Sequence, residues 1–497
     1  MLKQTYQTTL SPYSDLYDLL IPADHILRRF NELVDFSFVY EELESKYCLN
    51  DGRNAYDPIK LFKYLMLKAM FPASDVDLVA RSKTDMAYKY FLGLAPEDEV
   101  IDPSLLTKFR RQRLNDSNLL DLLLNKTVQL AIEKDILKSK GIIVDATHTA
   151  SRFNKKSAVE LLRSYSKKVR KAIYTVKPEA KQSMPEKNQK NDYQAEKTYV
   201  KTLLKTIEEH PEWAVTPAVT ESINQLKETV EDCQEYEVYS HDTSAKVGHK
   251  TAETEFFGYK THLAITEERI IAAASVTGGD VGDGPYLKEL VEKSRANGID
   301  VKEIIGDTAY SGKANLLFTA EEKIKLYSKL NPIISNGTRD PEDEWEYNKD
   351  AGMYVCPKGQ LAIRKAVQGK KNQAKNQRLT FYFDIRKCQA CPLKEGCYKE
   401  GAKSKTYSVT IQSKAHSEQQ AFQETEVFQK RYRMRYMIEG KNSEIKNRHG
   451  YNVSWSKDIE GMMLQGASTL FVTNLKRIVK LIDEKKKKNS SKSPTIN

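Results

Sequence analysis

The stretch that decides the fold is GIIVDATHTA, from residue 141 to residue 150. Its apolar run stops at an acidic residue, Asp145, as is typical of a strand buried inside a sheet. A second run of this kind, VKEIIGDTAYSG at 301–312, stops at Asp307. The two runs predict two core strands with a carboxylate at the end of each. An aspartate in that position is more often a turn or cap residue than a ligand, so neither motif indicates a function alone.

The residues between these two runs predict a hairpin and a helix. FGYKTHLA at 257–264 and IIAAASV at 270–276 are strand-like and are separated by a short polar turn, as in an antiparallel hairpin. Asp283 is then expected to cap a helix that ends at Asn297 and Gly298. The order strand, hairpin, helix, strand predicts an α/β fold with a mixed sheet.

Composition divides the chain into a helical N-terminal domain at 1–135, an α/β domain at 136–484 and a disordered basic tail at 485–497. The α/β domain is expected to carry two insertions. The first, at 155–240, is rich in lysine and glutamate and predicts a helical hairpin with a solvated surface. The second, at 335–425, contains cysteines and strand-like pieces such as LTFYFDI.

The N-terminal domain predicts several short helices, and the last of them begins at Pro103. Three arginines lie off its apolar stripe: Arg110, Arg111 and Arg113. Short helices that end in a basic one resemble a helix-turn-helix that reads DNA. A solvated basic face on an ordinary helical bundle fits the pattern equally well, so both interpretations stay open.

The chain of 497 residues has a formal net charge of +11, which favours polyanionic partners such as nucleic acid but is weak support alone. It has no run of about 18 apolar residues and no apolar stretch of the signal-peptide type at its start, so we expect a cytoplasmic protein. The uneven spacing of its 6 cysteines favours reduced thiols over a disulfide framework.

A strongly basic segment at 421–449 predicts one long helix that is closed by Gly450. Four of its residues share one face because their spacings are three, four and seven: Tyr432, Arg435, Glu439 and Lys446. The surrounding positive charge is expected to keep the Glu439 carboxylate ionised. An i, i+4 ion pair between Arg435 and Glu439, worth about 0.3–0.5 kcal/mol, explains part of this spacing without a function.

The spacing of these four residues, Y-(2)-R-(3)-E-(6)-K, resembles the signature of a large group of bacterial insertion-sequence transposases of the DDE type. IIVDATHT and IIGDTAYSG are similar to the first and second acidic motifs of that group, and FGYKTHLAI is similar to the strand between them. DPSLLTKFRRQRL at 102–114 resembles the family's N-terminal region. The likeness extends over 141–151, 242–312 and 428–480.

The resemblance implies a ribonuclease-H-like mixed-sheet catalytic core with a helical N-terminal DNA-binding domain and two insertions. Asp145 would lie on the first strand, Asp307 on the fourth and Glu439 on a later helix. Together they would hold two Mg²⁺ or Mn²⁺ ions, because hard cations prefer carboxylate oxygens. Two such ions, about 3.5–4 Å apart, activate the attacking oxygen and stabilise the departing one.

The resemblance also implies partners and a reaction. Tyr432, Arg435 and Lys446 would contact DNA beside the scissile phosphate. The substrates would be the terminal inverted repeats of a transposon and a target DNA, bound by a homodimer in the cytoplasm at the nucleoid. Water would nick each transposon end, and the freed 3′-hydroxyl would attack the target. Two alternatives stay open: a non-transposing nuclease of the same fold, and a catalytically silent DNA-binding protein derived from a mobile element.

Four cysteines follow the pattern C-x31-C-x2-C-x5-C: Cys356, Cys388, Cys391 and Cys397. A C-x2-C pair with two further cysteines is a candidate tetrahedral site for a structural Zn²⁺ ion. Its last gap is wider than in the usual paired knuckles. Plain reduced thiols are therefore the alternative.

Other polar residues near the acidic motifs receive less specific interpretations. Asp280 and Asp283 are rivals for the second acid, but the turn VTGGDVGDGP explains both as turn or cap residues. His148 and His262 are expected to be ordinary structural histidines. Lys246 is a weaker candidate for a DNA contact.

Overall fold

A computed structural model describes the protein over residues 11–47, 55–114, 118–153, 155–213, 216–235, 242–249, 254–331, 334, 344–370 and 376–490. The helices in the first half are α1 (Asp15–Leu20), α2 (Ile26–Leu33), α3 (Phe38–Leu43), α4 (Pro58–Met70), α5 (Asp75–Ser82), α6 (Met86–Leu92), α7 (Ser104–Arg113), α8 (Leu119–Glu133), α9 (Ala158–Val176), α10 (Tyr193–Glu209) and α11 (Pro217–Glu235). Those in the second half are α12 (Leu287–Ala296), α13 (Lys313–Glu321), α14 (Ile385–Gln389), α15 (Lys414–Gln423), α16 (Glu426–Tyr432), α17 (Tyr436–His449) and α18 (Ile459–Ser490).

The strands form one central sheet and two small ones. The central strands are β1 (Gly141–Ala150), β2 (Lys246–His249), β3 (Glu255–Thr266), β4 (Ile271–Gly278), β5 (Glu303–Ile305) and β6 (Lys325–Tyr327). The strands of the cysteine-containing insertion are β7 (Glu346–Asn348), β8 (Met353–Val355), β9 (Arg364–Gln368), β10 (Arg378–Phe383) and β11 (Lys405–Thr410). The LTFYFDI piece therefore forms the strand that its sequence predicts.

The central sheet is mixed, as its sequence predicts. Its path is β2-β3-β1-β5-β6, and β4 pairs with the same edge of β3 as β2 does. The pairs β1·β3 and β3·β4 are antiparallel, while β1·β5 and β5·β6 are parallel. The predicted hairpin is thus confirmed. Because β1 and β5 are parallel, the chain after Ile305 leaves the sheet on the side towards which β1 runs.

The apolar core joins the N-terminal helices to the sheet and to the last long helix. Phe62 of α4 packs against Phe471 of α18 with ring centroids 6.0 Å apart. Asn474 of α18 connects the N-terminal helices to the sheet through two hydrogen bonds. Its Nδ2 donates to the Thr127 hydroxyl of α8 at 2.9 Å, and its Oδ1 accepts the Ile271 N–H of β4 at 2.8 Å. The described N-terminal helices therefore share one core with the sheet. No helix within the described ranges is long and apolar enough to cross a lipid bilayer.

The first insertion differs from the predicted hairpin, because it contains three helices, α9, α10 and α11. They enclose an apolar cluster of their own, which includes Leu162, Val200 and Leu226. The break at HPEWAVTP occurs as predicted, as the 3-10 turn Pro211–Trp213. The earlier break at Pro178–Gln182 was missed, because a single proline among helix-forming residues is a weak signal.

The predicted single helix at 421–449 is wrong. It is divided into the end of α15, the helix α16, a 3-10 turn at Arg433–Arg435 and the helix α17. Thr425 starts α16 by accepting the N–H of Phe428 at 3.2 Å. Gly450 ends α17 in the left-handed conformation, with φ +64°, as predicted.

Arg431 determines where α16 lies against the sheet. Its guanidinium pairs with Glu267 at 2.6 Å and also with Glu303, at the start of β5. These partners are far away in sequence, so local helical spacing gives no sign of them. The ion pairs of Arg431 lie directly before the tight turn at Arg433–Arg435 that ends α16.

The basic tail also begins later than predicted. Helix α18 continues to Ser490, so the residues from 485 to 490 are helical, and 491–497 lie outside the described residues. Lysine is a good helix former and is favoured near the negative end of the helix dipole. The KKKK run therefore extends the helix.

Substitution of Gly450 tests how closely α17 approaches the N-terminal helices. A Cβ at Gly450 would lie 3.1 Å from Pro72, whereas one at Gly93, at φ +67°, would meet nothing within 4 Å. We expect Gly93→Ala to lower the free energy of unfolding by about 1 kcal/mol through backbone strain. Gly450→Ala should cost about 1–2 kcal/mol more, because the proline ring cannot move aside easily. Urea unfolding of both variants measures the difference, and equal losses would contradict a close contact at Pro72.

Candidate active site

The orientation of α17, the helix that carries Glu439, is fixed by buried residues. Ile438, Ile445 and His449 are each 0% exposed. The His449 Nδ1 lies 2.7 Å from the carbonyl oxygen of Ala69 in α4. Burial lowers the pKa of His449 to about 4, so the ring is neutral at pH 7 and donates to that carbonyl. One side of α17 is thereby committed to the core.

The adjacent side of α17 faces β1 through one hydrogen bond. The Asn442 amide donates from Nδ2 to Asp145 Oδ2 at 3.0 Å. Asn442 lies three residues after Glu439, so the two side chains lie on neighbouring positions of one helix face. This contact, which the sequence did not predict, places Glu439 about one helical turn from Asp145. The Asn442 Oδ1 atom is buried and has no hydrogen-bond partner within the described residues.

Asp145 and Asp307 lie close together at the end of the parallel strands. The Asp307 carboxylate accepts the N–H of Ala309 at 2.9 Å, which holds it at the start of a 3-10 turn. Burial raises the pKa of Asp145 to about 6, and the nearby anions Asp307 and Asp283 raise it further. Burial and Asp283 also raise the pKa of Asp307. A bound cation would favour the ionised forms of both Asp145 and Asp307.

Arg435 connects the three predicted acids. Its Nη2 lies 2.5 Å from Glu439 Oε1, in the i, i+4 ion pair that the spacing allows. The same guanidinium lowers the pKa of Asp145 and of Asp307, although burial outweighs it at both. Tyr432 has a raised pKa, first because of burial and then because Asp307 and Glu439 are near. The acids from β1, β5 and α17 therefore surround one positive charge.

Asp283 belongs to the same cluster, and its predicted capping role is wrong. Its side chain makes no cap hydrogen bond to the turn that follows. Instead its Oδ1 pairs with the Lys260 ammonium of β3 at 3.0 Å. Because Lys260 comes from a different strand, no local pattern shows this pairing. Asp280, the other rival acid, is exposed.

The two histidines near the acids make packing contacts. His262 is fully buried and stacks on Tyr286 with ring centroids 4.3 Å apart. Its Nδ1 lies 3.8 Å from Asp283 Oδ1, yet burial lowers its pKa to about 4, so the ring is neutral at pH 7. The His148 ring packs against Phe256 at 4.9 Å. Both contacts are consistent with structural histidines.

The predicted DNA-contacting arginines of α7 differ from one another. Arg110 pairs with Asp75 at 2.5 Å. Arg113 bonds to a backbone carbonyl and lies over the Tyr47 ring, 4.4 Å from its centroid. Arg111 is exposed. Of the three, Arg110 and Arg113 are thus committed to contacts within the protein.

The two lysines proposed for DNA lie at different places. Lys446 is half-buried on the α17 face that carries Glu439 and Asn442. Lys246 is exposed on β2, with its ammonium 2.9 Å from the Thr243 carbonyl oxygen. Lys446 therefore lies beside the acid cluster.

The four cysteines of the insertion lie around one small cavity of about 30 Å³, next to Trp345 and Phe383. Burial raises the pKa of Cys388, and the other three thiols raise it further. The N–H of Gln360 donates to Cys356 Sγ at 3.4 Å. The chain thus brings together cysteines that are far apart in sequence.

Neither cluster has the finished arrangement of a metal site. Within the described ranges, no three His, Cys, Asp or Glu side chains are placed to hold a metal ion as they stand. In the acid cluster, Glu439 is engaged by Arg435 and Asp145 by Asn442. The donor set nevertheless fits a hard divalent cation, because it combines carboxylates with the unpartnered amide oxygen of Asn442.

Two family models match the chain. Residues 15–112 match a transposase domain (DUF772), and residues 355–479 match a transposase DDE domain. Both matched models are transposase domains, which supports a transposase of the insertion-sequence DDE type. A search of curated proteins found no significant match.

The two matches cover only some of the candidate site residues. The DDE match contains Arg435, Glu439 and the four cysteines of the insertion, whereas Asp145 and Asp307 lie outside both matched ranges. The assignment of the two aspartates therefore depends on the geometry around Arg435. Transposase domains imply DNA as the substrate.

The raised pKa of Asp145 predicts how pH changes the stability of the metal-free transposase. Its folded-state pKa is about 6 against a usual 3.8, so ionisation destabilises the fold increasingly as pH rises from about 4 to about 6. Asp145→Asn should therefore raise the free energy of unfolding in EDTA at pH 7.5 by roughly 1–3 kcal/mol, and by little at pH 4. Denaturant unfolding at both pH values measures this. A pH-independent difference, or the same gain from the exposed control Asp280→Asn, would contradict it.

Proposed function

We propose that the transposase cleaves DNA at transposon ends and joins the freed 3′-ends to target DNA, with Asp145, Asp307 and Glu439 as its catalytic acids. The observation that carries this proposal is the cluster around Arg435, where acids from three distant segments meet. Structural ion pairs are usually built to neutralise charge. Here burial raises the pKa of two carboxyls that lie side by side, as is common at sites built for chemistry.

We also propose that the central sheet is a ribonuclease-H-like core. The antiparallel strands β4, β3 and β1 continue into the parallel strands β5 and β6, which supports this assignment. When the short β2 is set aside, Asp145 lies on the first strand and Asp307 follows the fourth. Glu439 comes from a later helix, in the order that the resemblance implies.

Divalent cations held by these carboxylates would activate the attacking oxygen and stabilise the departing one. For Glu439 to join the aspartates, its side chain must leave the Arg435 guanidinium. Glu439 is about half exposed, with 53% of its side chain accessible, so it can turn without unpacking the core. A DNA phosphate that takes over Arg435 would release Glu439 for this turn, since guanidinium binds phosphate as readily as carboxylate.

The neighbouring side chains have positioning roles in this proposal. Asn442 holds the Asp145 carboxylate and fixes the height of α17 over β1. Lys260 holds the Asp283 carboxylate in place through their ion pair. Tyr432 and Lys446 would contact the DNA on either side of Arg435. In the N-terminal region, exposed Arg111 is the arginine of α7 best placed to reach DNA.

Substitution of the three acids tests the active site. Asp145→Ala, Asp307→Ala and Glu439→Ala should each lower Mg²⁺-dependent nicking at least about 100-fold, because several kcal/mol of transition-state stabilisation is lost. DNA binding in EDTA should persist. The assay follows nicking of a duplex that carries the inverted repeats flanking its gene. Asp280→Ala is the matched control and should nick normally, and retained nicking by any of the three variants removes that residue from the site.

Joining assays separate transposition from simple nuclease activity. The wild-type transposase should join pre-cut ends with free 3′-hydroxyls to a supercoiled target in Mg²⁺. Nicking without joined products would indicate a non-transposing nuclease. The absence of both activities under conditions of DNA binding would indicate a catalytically silent relative.

We further propose that the cysteine cavity holds a structural Zn²⁺ ion. The four cysteines that line one small space support this proposal. The purified protein should contain about one zinc per chain. Cys388→Ser combined with Cys391→Ser should release it, whereas Cys233→Ser, at a cysteine buried among the helices of the first insertion, should not. Elemental analysis measures the metal, and a zinc-free wild type with titratable thiols would favour plain reduced cysteines.

A further inference from the structure

A second concentration of charge lies behind the acid cluster, between α17, α18 and the β3–β4 turn. It is a cavity of about 500 Å³, called here the basic cavity. Six cations line it: Arg269, Lys441, Arg448, Lys476, Arg477 and Lys480. Glu444 is the acidic residue that lines it with them. Neither the acids of the proposed active site nor Arg435 line this cavity.

The helix α17 separates the two sites. At about 100° per residue, Asn442, Lys446 and Glu439 lie on one face of α17. Lys441 and Arg448 lie about 100–180° around the helix from them. A ligand in the basic cavity therefore contacts a different side of the helix that carries Glu439.

The charges of the basic cavity are not balanced within the protein. Glu444 pairs with Lys441 at 2.8 Å, and the Lys441 side chain is only 1% exposed. Burial lowers the pKa of Arg477, although Glu484, Glu444 and Glu268 act in the opposite direction. Cations outnumber carboxylates among the residues that line the cavity, which favours an anionic ligand.

The backbone at Arg269 supports a binding role independently. Arg269 adopts φ +65° in the tight turn between β3 and β4, a conformation that favours glycine. Its side chain lines the cavity and lies near the Gly440 backbone of α17. An arginine at a position where glycine would relieve strain points to a use for its charge rather than for its backbone.

We propose that the basic cavity binds backbone phosphates of duplex DNA, at a place separate from the scissile phosphate. This inference rests on the proposed function, because it assumes that the protein holds DNA. A long polyanion fits better than a small one, since more lysines follow along α18 at 485–488, beyond Asp483 and Glu484. The DNA would thus contact α17 on two sides, with the acids on one and this cavity on the other.

The experiment measures binding of a fluorescently labelled random-sequence duplex to the full chain in EDTA, over a range of salt concentrations. Arg269→Gly and Lys480→Gln should each weaken binding several-fold and reduce the slope of log K against log salt by about 0.9. Arg269→Gly should not lower the melting temperature, because glycine relieves the backbone strain. Loss of binding would then be independent of stability.

Matched controls remove the same kind of charge elsewhere. Lys323 is an exposed cation at φ +55°, so Lys323→Gly relieves similar strain outside the cavity. Lys201→Gln removes an exposed lysine of α10. Both should keep the wild-type affinity and salt slope. If Arg269→Gly and Lys480→Gln behave like these controls, the proposal is wrong.

Two further measurements separate the other outcomes. Inorganic tripolyphosphate that raises the melting temperature of the wild type but not of Arg269→Gly, with DNA binding unchanged, would assign the cavity to a small anion and overturn the DNA proposal. Metal-dependent nicking by the wild type is measured in parallel. If the wild type nicks DNA but Arg269→Gly and Lys480→Gln keep the wild-type salt slope, only the proposal for the cavity is wrong. If the two variants reduce the slope but the wild type does not nick, only the proposed catalytic function is wrong.

Discussion

The position of helix α17 over strand β1 is the constraint on which the site depends. Ile438, Ile445 and His449 fix the rotation of the helix by burial, and the bond from Asn442 to Asp145 fixes its height. A rotation by one residue, about 100°, would carry Glu439 away from the aspartates and bury a different set of charges. Another face of the same helix lines the basic cavity, so the packing of α17 against the core positions both sites.

Burial and charge act against each other in the acid cluster. Burial disfavours the anionic forms of Asp145 and Asp307, and the nearby Asp283 makes ionisation of both harder. Arg435 offsets part of this penalty, but its guanidinium is shared with Glu439. The metal-free arrangement is therefore electrostatically strained on its acidic side. The basic cavity has the opposite imbalance, because cations outnumber carboxylates among the residues that line it.

Much of the central fold could be predicted from sequence, because buried strands and hairpins depend on local apolar runs. GIIVD, EIIGD and the two strands between them all form as their patterns indicate. The errors nearest the acid cluster share a physical cause, which is partners distant in sequence. Asp283 looks like a cap until Lys260 of another strand takes its carboxylate. The single basic helix is divided at a turn beside Arg431, which pairs with Glu267 and Glu303. The Asn442 contact with Asp145 has no sequence signal at all, since an asparagine in a helix is usually only a polar surface residue.

The shared core of the first and last helices has a consequence for synthesis on the ribosome. Phe62 and Thr127 meet their partners Phe471 and Asn474 only after almost the whole chain has been made. Until then the apolar faces of α4 and α8 are left without cover, and a product truncated before α18 leaves them so permanently. Such fragments should be cleared by proteases or aggregate rather than accumulate as competing DNA binders.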